Sequence, residues 1–273
     1  MLRLGHIDFS NCFPVHALLL ERGAPAGIVL SSGTPAELNA ELAAGRVDVA
    51  PASSIEYARH AERYRLFPDL AIGSRGPVGS IVLESARRVD ELDEQVVALP
   101  TASATSVVLL RLLLERRADL RPRYVWYDQT RTPDPLAEGA SAALWIGDVA
   151  LRRPERNERF FVDLGQAWRE WTGLPFAYAV WQTSAGPERD AELCALQRAL
   201  LASRAYFETS AAALAERHAA HFGLDPARLL EYWRSLDYTL GEDMLRGLVH
   251  FYRLAAELGE APGVPALRWI PTS

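Results

Sequence analysis

The chain contains no lysine; every one of its basic residues other than histidine is arginine. Schiff-base chemistry and a lysine general base are therefore excluded. Cysteine is nearly absent too. Cys12 and Cys194 make neither a disulfide framework nor a metal-ligand spacing. No apolar run is long enough to span a bilayer, so no membrane association is expected. The first residues, Met1 to Asp8, lack the apolar stretch of an export signal, because Asp8 interrupts it, so the chain as given is expected in the cytosol. A net charge of −6 with no cluster of arginines argues against nucleic acid. Neither GxxxxGKS nor GxGxxG occurs, which removes the usual nucleotide cradles. His218 and His221 stand at i, i+3, but no carboxylate or cysteine accompanies them in sequence, and no metal is expected.

What is present is a large apolar fraction, 49% of 273 residues, enough for a substantial core in one large domain or two of moderate size. Short apolar strands alternate with capped helices along most of the chain. Leu2 to Phe9 reads as a strand, followed by a polar turn and a helix from about Pro14. Ser10 or Asn11 can cap that helix; Asn11 also stands at the carboxyl end of a strand, where open α/β sheets bind ligands. Thr34-Pro35 opens a second helix. Val47 to Pro51 is the next strand, and Ser53 and Ser54 follow it where backbone N–H groups are free and an anion is welcome. Glu56 lies in the same helix.

Gly73-Ser74-Arg75-Gly76-Pro77-Val78-Gly79 is turn chemistry leading into the strand Ser80 to Leu83. About a hundred residues later Gly173-Leu174-Pro175-Phe176 leads into Ala177 to Trp181. The pair reads as two crossings between lobes, with hinges at Leu83 and Trp181; the alternative is two ordinary buried strands. Residues 1–83 and 182–273 would form lobe I, and 84–181 lobe II. In lobe II, Thr101, Ser103, Thr105 and Ser106 crowd one strand-to-helix turn. A cap needs only one hydroxyl, so the excess points to a carboxylate or phosphate site. Asp134-Pro135 is expected to start a short helix. Gly147-Asp148 closes another strand, with Asp148 either a cap or a cleft residue. After Pro187 the pattern is helical to the end, 191–217 as one helix or two.

A βα lobe, a second inserted lobe and returning C-terminal helices together resemble the type II periplasmic-binding-protein fold, an α/β fold of two lobes with a cleft between them. The phrases His6 to Pro14, Gly45 to Tyr57, Gly73 to Leu83, Ser103 to Ser106, Ile146-Gly147-Asp148 and Trp171 to Phe176 look like the chorismate dehydratase family of the futalosine route to menaquinone. Cys12 stands where many members have serine. The resemblance implies that chorismate loses water to give 3-[(1-carboxyvinyl)oxy]benzoate, without a cofactor. It places Asn11 as the catalytic residue and Ser54, Ser80, Ser103, Thr105, Ser106, Gly147 and Asp148 around the substrate. Two other readings use the same fold: a solute-binding protein for a small carboxylate, and the effector domain of a regulator. The first normally carries an export signal and the second a DNA-binding segment.

Overall fold

Apolar alternation and helix caps build two mixed sheets from this chain. The computed structural model describes residues 1–132, 134–154 and 156–272. The order begins β1 (Leu2–Ile7), α1 (Phe13–Arg22), β2 (Ile28–Gly33), α2 (Pro35–Ala43), β3 (Val49–Ser53), α3 (Ser54–Arg59) and β4 (Arg65–Ser74). The second sheet follows: β5 (Ile81–Ser85), β6 (Val96–Pro100), α4 (Thr105–Arg111, continued by a π-helical turn over Leu112–Arg117), β7 (Arg123–Tyr127), β8 (Ala142–Ile146), α5 (Gly147–Arg152), β9 (Phe160–Asp163) and α6 (Leu164–Thr172). The chain then returns through β10 (Phe176–Thr183) and ends in α7 (Asp190–Phe222), α8 (Pro226–Ser235), the short β11 (Leu236–Asp237) and α9 (Glu242–Glu257). The first sheet has the order β11-β4-β10-β3-β1-β2 and the second β7-β6-β8-β5-β9.

Local chemistry explains most boundaries. Thr34 and Glu37 form a reciprocal capping box on α2, with Pro35 in its first turn. Asp225 caps α8 by accepting from the Arg228 N–H at 2.9 Å. β10 is buried along its whole length because it lies between β3 and β4 and packs against α3, α4, α6 and α9. The expected helix at Asp134 is instead a turn. Gly139, at φ +100°, bends the chain back, while the Asp134 carboxylate is drawn to Arg156 and Arg159. The expected helical run from 191 to 217 is one helix of 33 residues.

Leu83 and Trp181 are not at the crossings. Leu83 sits inside β5, opposite Leu144 and Val162, and Trp181 sits inside β10, opposite Pro51. The chain changes sheet over 75–80 and again over 164–175, a few residues earlier in each case. Apolarity marks a strand locally, but which sheet the strand joins is decided by distant partners.

The two crossings are tied to each other. The Asp163 carboxylate caps α6 by accepting from the Gln166 N–H at 3.0 Å. It also accepts from the N–H of Val78 at 3.0 Å and of Gly79 at 2.6 Å, both in the outgoing crossing. One residue on, Gly165 lies so close that an added Cβ would stand 2.5 Å from the Gly76 carbonyl and 2.6 Å from the Tyr178 hydroxyl. Asp163→Ala removes a cap and two charge-assisted bonds. It is expected to cost about 3 kcal/mol, read as a lower urea midpoint with an unchanged slope. An unchanged midpoint would show the crossings to be independent.

Candidate functional site

The carboxyl ends of the strands from both sheets meet in one small cavity. Its wall includes Phe9 and Asn11 after β1, Ser53 at the end of β3, Ser80 before β5, Ser103 and Ser106 around the start of α4, Gly147 after β8, and Tyr178 in β10. The space open to water centres is about 40 Å³, whereas small-molecule sites typically hold roughly 300–1,000 Å³. The cleft is shut.

Ser10 shuts it. Its N–H donates to both oxygens of Asp148 at 3.1 Å, and its hydroxyl donates to one of them at 2.5 Å. That use explains why Ser10 does not cap α1, whose N-cap is Cys12 without a side-chain bond; Asn11 does not cap it either. Asp148 does not cap α5 either. Burial pushes its carboxyl above the usual range, and the Ser10 donors oppose that rise. A second contact lies deeper. Thr105 Oγ1 accepts from the Ile55 N–H at 3.2 Å and lies 3.4 Å from the Ser54 hydroxyl, which itself donates to the Ala177 carbonyl at 2.8 Å. Ser54, Thr105 and Asp148 thus join lobe to lobe beside the cavity. Asn11, Ser80, Ser103, Ser106 and Gly147 line it.

The polar atoms of the wall are pre-aimed. Asn11 Oδ1 is buried and has no hydrogen-bond partner among the described residues. Ser103 donates to Ser106 Oγ at 3.1 Å, which leaves the Ser106 proton for another acceptor. Gly147 has φ +61°, and its Cβ position is filled by the Phe9 ring at 2.8 Å. Any side chain there is both strained and blocked. The Tyr178 hydroxyl bonds to Ser74 Oγ at 3.0 Å, which in turn donates to the Gly76 carbonyl. Burial raises the Tyr178 phenol well above its ordinary value, so it stays neutral. The wall therefore holds no carboxylate, imidazole or guanidinium among the described residues. Glu56 lies away from it, accepting from the Tyr64 hydroxyl at 3.3 Å.

Sequence order gave no hint of a buried histidine pair behind Asn11. His6 Nδ1 and His16 Nδ1 are 2.9 Å apart. Trp181 Nε1–H donates to His16 Nε2 at 3.3 Å. His16 must then carry its proton on Nδ1 and give it to His6 Nδ1, so His6 is protonated on Nε2. Burial holds His6 down at about 4 and His16 well below its usual value, and pushes the Cys12 thiol up to about 12. Ligand atoms of His6, Cys12 and His16 lie within 4.8 Å of one another. A metal on His16 Nδ1 would move that ring's proton to Nε2, where it would face the Trp181 N–H donor to donor, so the set does not suit a cation. Elsewhere, His218 binds the Glu21 carboxylate at 3.0 Å and packs on Phe13.

Two mixed sheets, joined by a double crossing and closing over a cleft at their strand ends, define a periplasmic-binding-protein fold. The periplasmic aliphatic sulphonate binding protein of Escherichia coli superposes with a TM-score of 0.68 at 16% identity, over 100% of this chain and 92% of that one. A protein of Archaeoglobus fulgidus does so with a TM-score of 0.77 at 19% identity, over 94% and 97%. A family model described as menaquinone biosynthesis matches residues 2–257, and the chain belongs to that family. Among curated relatives it is 33% identical to a chorismate dehydratase of Thermus thermophilus, over 96% of this chain and 95% of that protein. It is 30% identical to a chorismate dehydratase of Campylobacter jejuni over 64% of each. Among the described residues no helix is long and apolar enough to cross a membrane.

The histidine pair sets an acid limit. Both imidazoles bind protons more weakly in the folded state than in the unfolded chain. Stability is therefore complete above about pH 6.5 and is lost as pH falls toward 4. The His6 share is on the order of 3 kcal/mol, at about 1.4 kcal/mol per pK unit. Urea titrations between pH 7 and 4 are expected to show this fall, and His6→Gln is expected to flatten it. Equal slopes in the two proteins would remove His6 from the account.

Proposed function

We propose that the protein is a cofactor-independent hydro-lyase that converts chorismate to 3-[(1-carboxyvinyl)oxy]benzoate and water. The observation that supports this most is the cavity wall: hydroxyls and one orphaned amide oxygen, with no ionisable side chain except a phenol kept neutral. The named relatives, at 33% and 30% identity, supply the substrate.

The reaction suits such a wall. Chorismate loses the proton at C3 and the hydroxyl at C4, and the ring becomes aromatic, which drives the step downhill. A base must reach the C3 proton. The enolpyruvyl carboxylate is tethered to C3 through the ether oxygen and one vinyl carbon, so the substrate carries its own base at high effective molarity. The protein's part is to exclude water, fix that side chain and stabilise the departing hydroxyl, which leaves as water when it takes up the proton that the carboxylate removed from C3. Asn11 has the reach for orientation and never ionises. Ser80 and Ser106 supply hydroxyl donors for the carboxylates, and Ser103 aims the Ser106 proton from behind. Since the shut cavity holds little more than water, the Ser10–Asp148 and Ser54–Thr105 contacts must part to admit substrate and re-form around it.

Purified protein with chorismate and EDTA is expected to yield a product lighter by one water, read by mass spectrometry. Tight binding without conversion would instead favour a carboxylate-binding protein. Asn11→Ala is expected to lower turnover by about 100-fold or more while weakening binding far less, as for loss of a transition-state contact.

Glu56→Gln and Asp148→Asn separate substrate-assisted from protein-base chemistry. Both variants are expected to keep measurable turnover, with Asp148→Asn raising KM because closure is weaker. Complete loss of turnover in either, with fold and binding intact, would identify a protein carboxylate as the base and sink the substrate-assisted mechanism.

A further inference from the structure

The C-terminal helices reach the cleft through two consecutive residues of α8. Trp233 Nε1–H donates to the Ser10 carbonyl at 2.8 Å, behind the residue that shuts the cavity. Tyr232 donates its phenolic proton to Ser80 Oγ at 2.8 Å. Ser80 is 1% exposed, and its carbonyl accepts from the Gly147 N–H at 2.8 Å. The residue is thus held from two sides, by its backbone from α5 and by its hydroxyl from α8.

The direction of the Tyr232 bond matters. A phenol is the more acidic hydroxyl and the better donor, so Tyr232 gives and Ser80 accepts. With a lone pair of Ser80 Oγ occupied, its own proton has one remaining use. No described protein atom accepts it, and the side chain lines the cavity. Ser106 across the wall is arranged alike, with Ser103 donating to it from behind. A group with two carboxylates would find one aimed O–H on each side.

We propose that Tyr232 is a positioning residue: it fixes the Ser80 hydroxyl as a one-way donor to a carboxylate oxygen of the bound substrate. This inference rests on the reading of the cleft as a chorismate site. Burial supports it, because Tyr232 is held far above its ordinary pKa and remains a donor through the whole working range. Preorganised donors of this kind cost no reorientation when the ligand arrives.

A double-mutant cycle tests it. Tyr232→Phe keeps the ring and deletes only the phenol. It is expected to lower kcat/KM for chorismate about tenfold, with Tm nearly unchanged. Ser80→Ala should lose at least as much, and the double variant no more than Ser80→Ala alone. Additive losses, or wild-type kinetics in Tyr232→Phe, would overturn the proposal, since a packing role does not vanish when Ser80 is removed. The same cycle is run on binding of 3-[(1-carboxyvinyl)oxy]benzoate by calorimetry. If the unmodified protein binds this dianion without turning chorismate over, the catalytic reading fails while the positioning role is still decided by the binding cycle. If it neither binds nor converts, both fall.

Discussion

Asp148 is a buried carboxylate with no cation in bonding contact among the described residues; its hydrogen bonds come from the backbone and hydroxyl of Ser10, across the cleft. A buried charge without donors is costly, and water is the only other source of them. Shutting the cleft and satisfying Asp148 are therefore one event. When the lobes part, water must enter to replace Ser10. The Trp233 bond to the Ser10 carbonyl then gives the C-terminal helices a share in the same closure. Farther out, Glu260 accepts from Arg59 on one lobe and Arg111 on the other, so the rim is bridged as well.

What this closure encloses is a wall of neutral polar groups. Among the described residues no guanidinium lines the cavity, although the chain is rich in arginine. The arginines instead serve surface pairs such as Arg75 on Asp237, and a buried carboxylate away from the cavity, Glu84, which pairs with Arg153 and Arg159. Neutral donors hold a carboxylate without fixing its charge as tightly as an ion pair would. Under the proposed mechanism a substrate carboxylate takes up a proton, and it is better served that way, because a strong cation would lower its basicity.

The alternation of strands and helices was legible because each element carries its own local signal, as Thr34-Pro35 at the start of α2 shows. The cavity-lining serines 103 and 106 were legible because hydroxyls crowded a turn that needed few, whereas Ser80 came only with the family resemblance. Other features were not. Ser10 looks like a cap in sequence and is taken by a carboxylate far along the chain. Thr105 belongs with its neighbours by spacing, yet its hydroxyl turns to the other lobe. Tyr232 sits in an amphipathic helix, where an aromatic residue reads as core. His6 and His16 lie on successive elements, but no periodicity says that a strand and the next helix bring their rings together. In each case the deciding partner is remote, and local pattern carries no information about it.

The position of β10 bears on how the chain is made. This strand lies between β3 and β4 and joins them to one sheet, yet it follows β4 by about a hundred residues. During synthesis at roughly 5–20 residues per second, β3 and β4 wait about 5–20 seconds for the strand that unites them. In that interval the nascent first lobe exposes one edge of β3 and both edges of β4, since β11 is made later still, and the inserted lobe is complete before the lobe that began first. The order of assembly is thus the reverse of the order of translation.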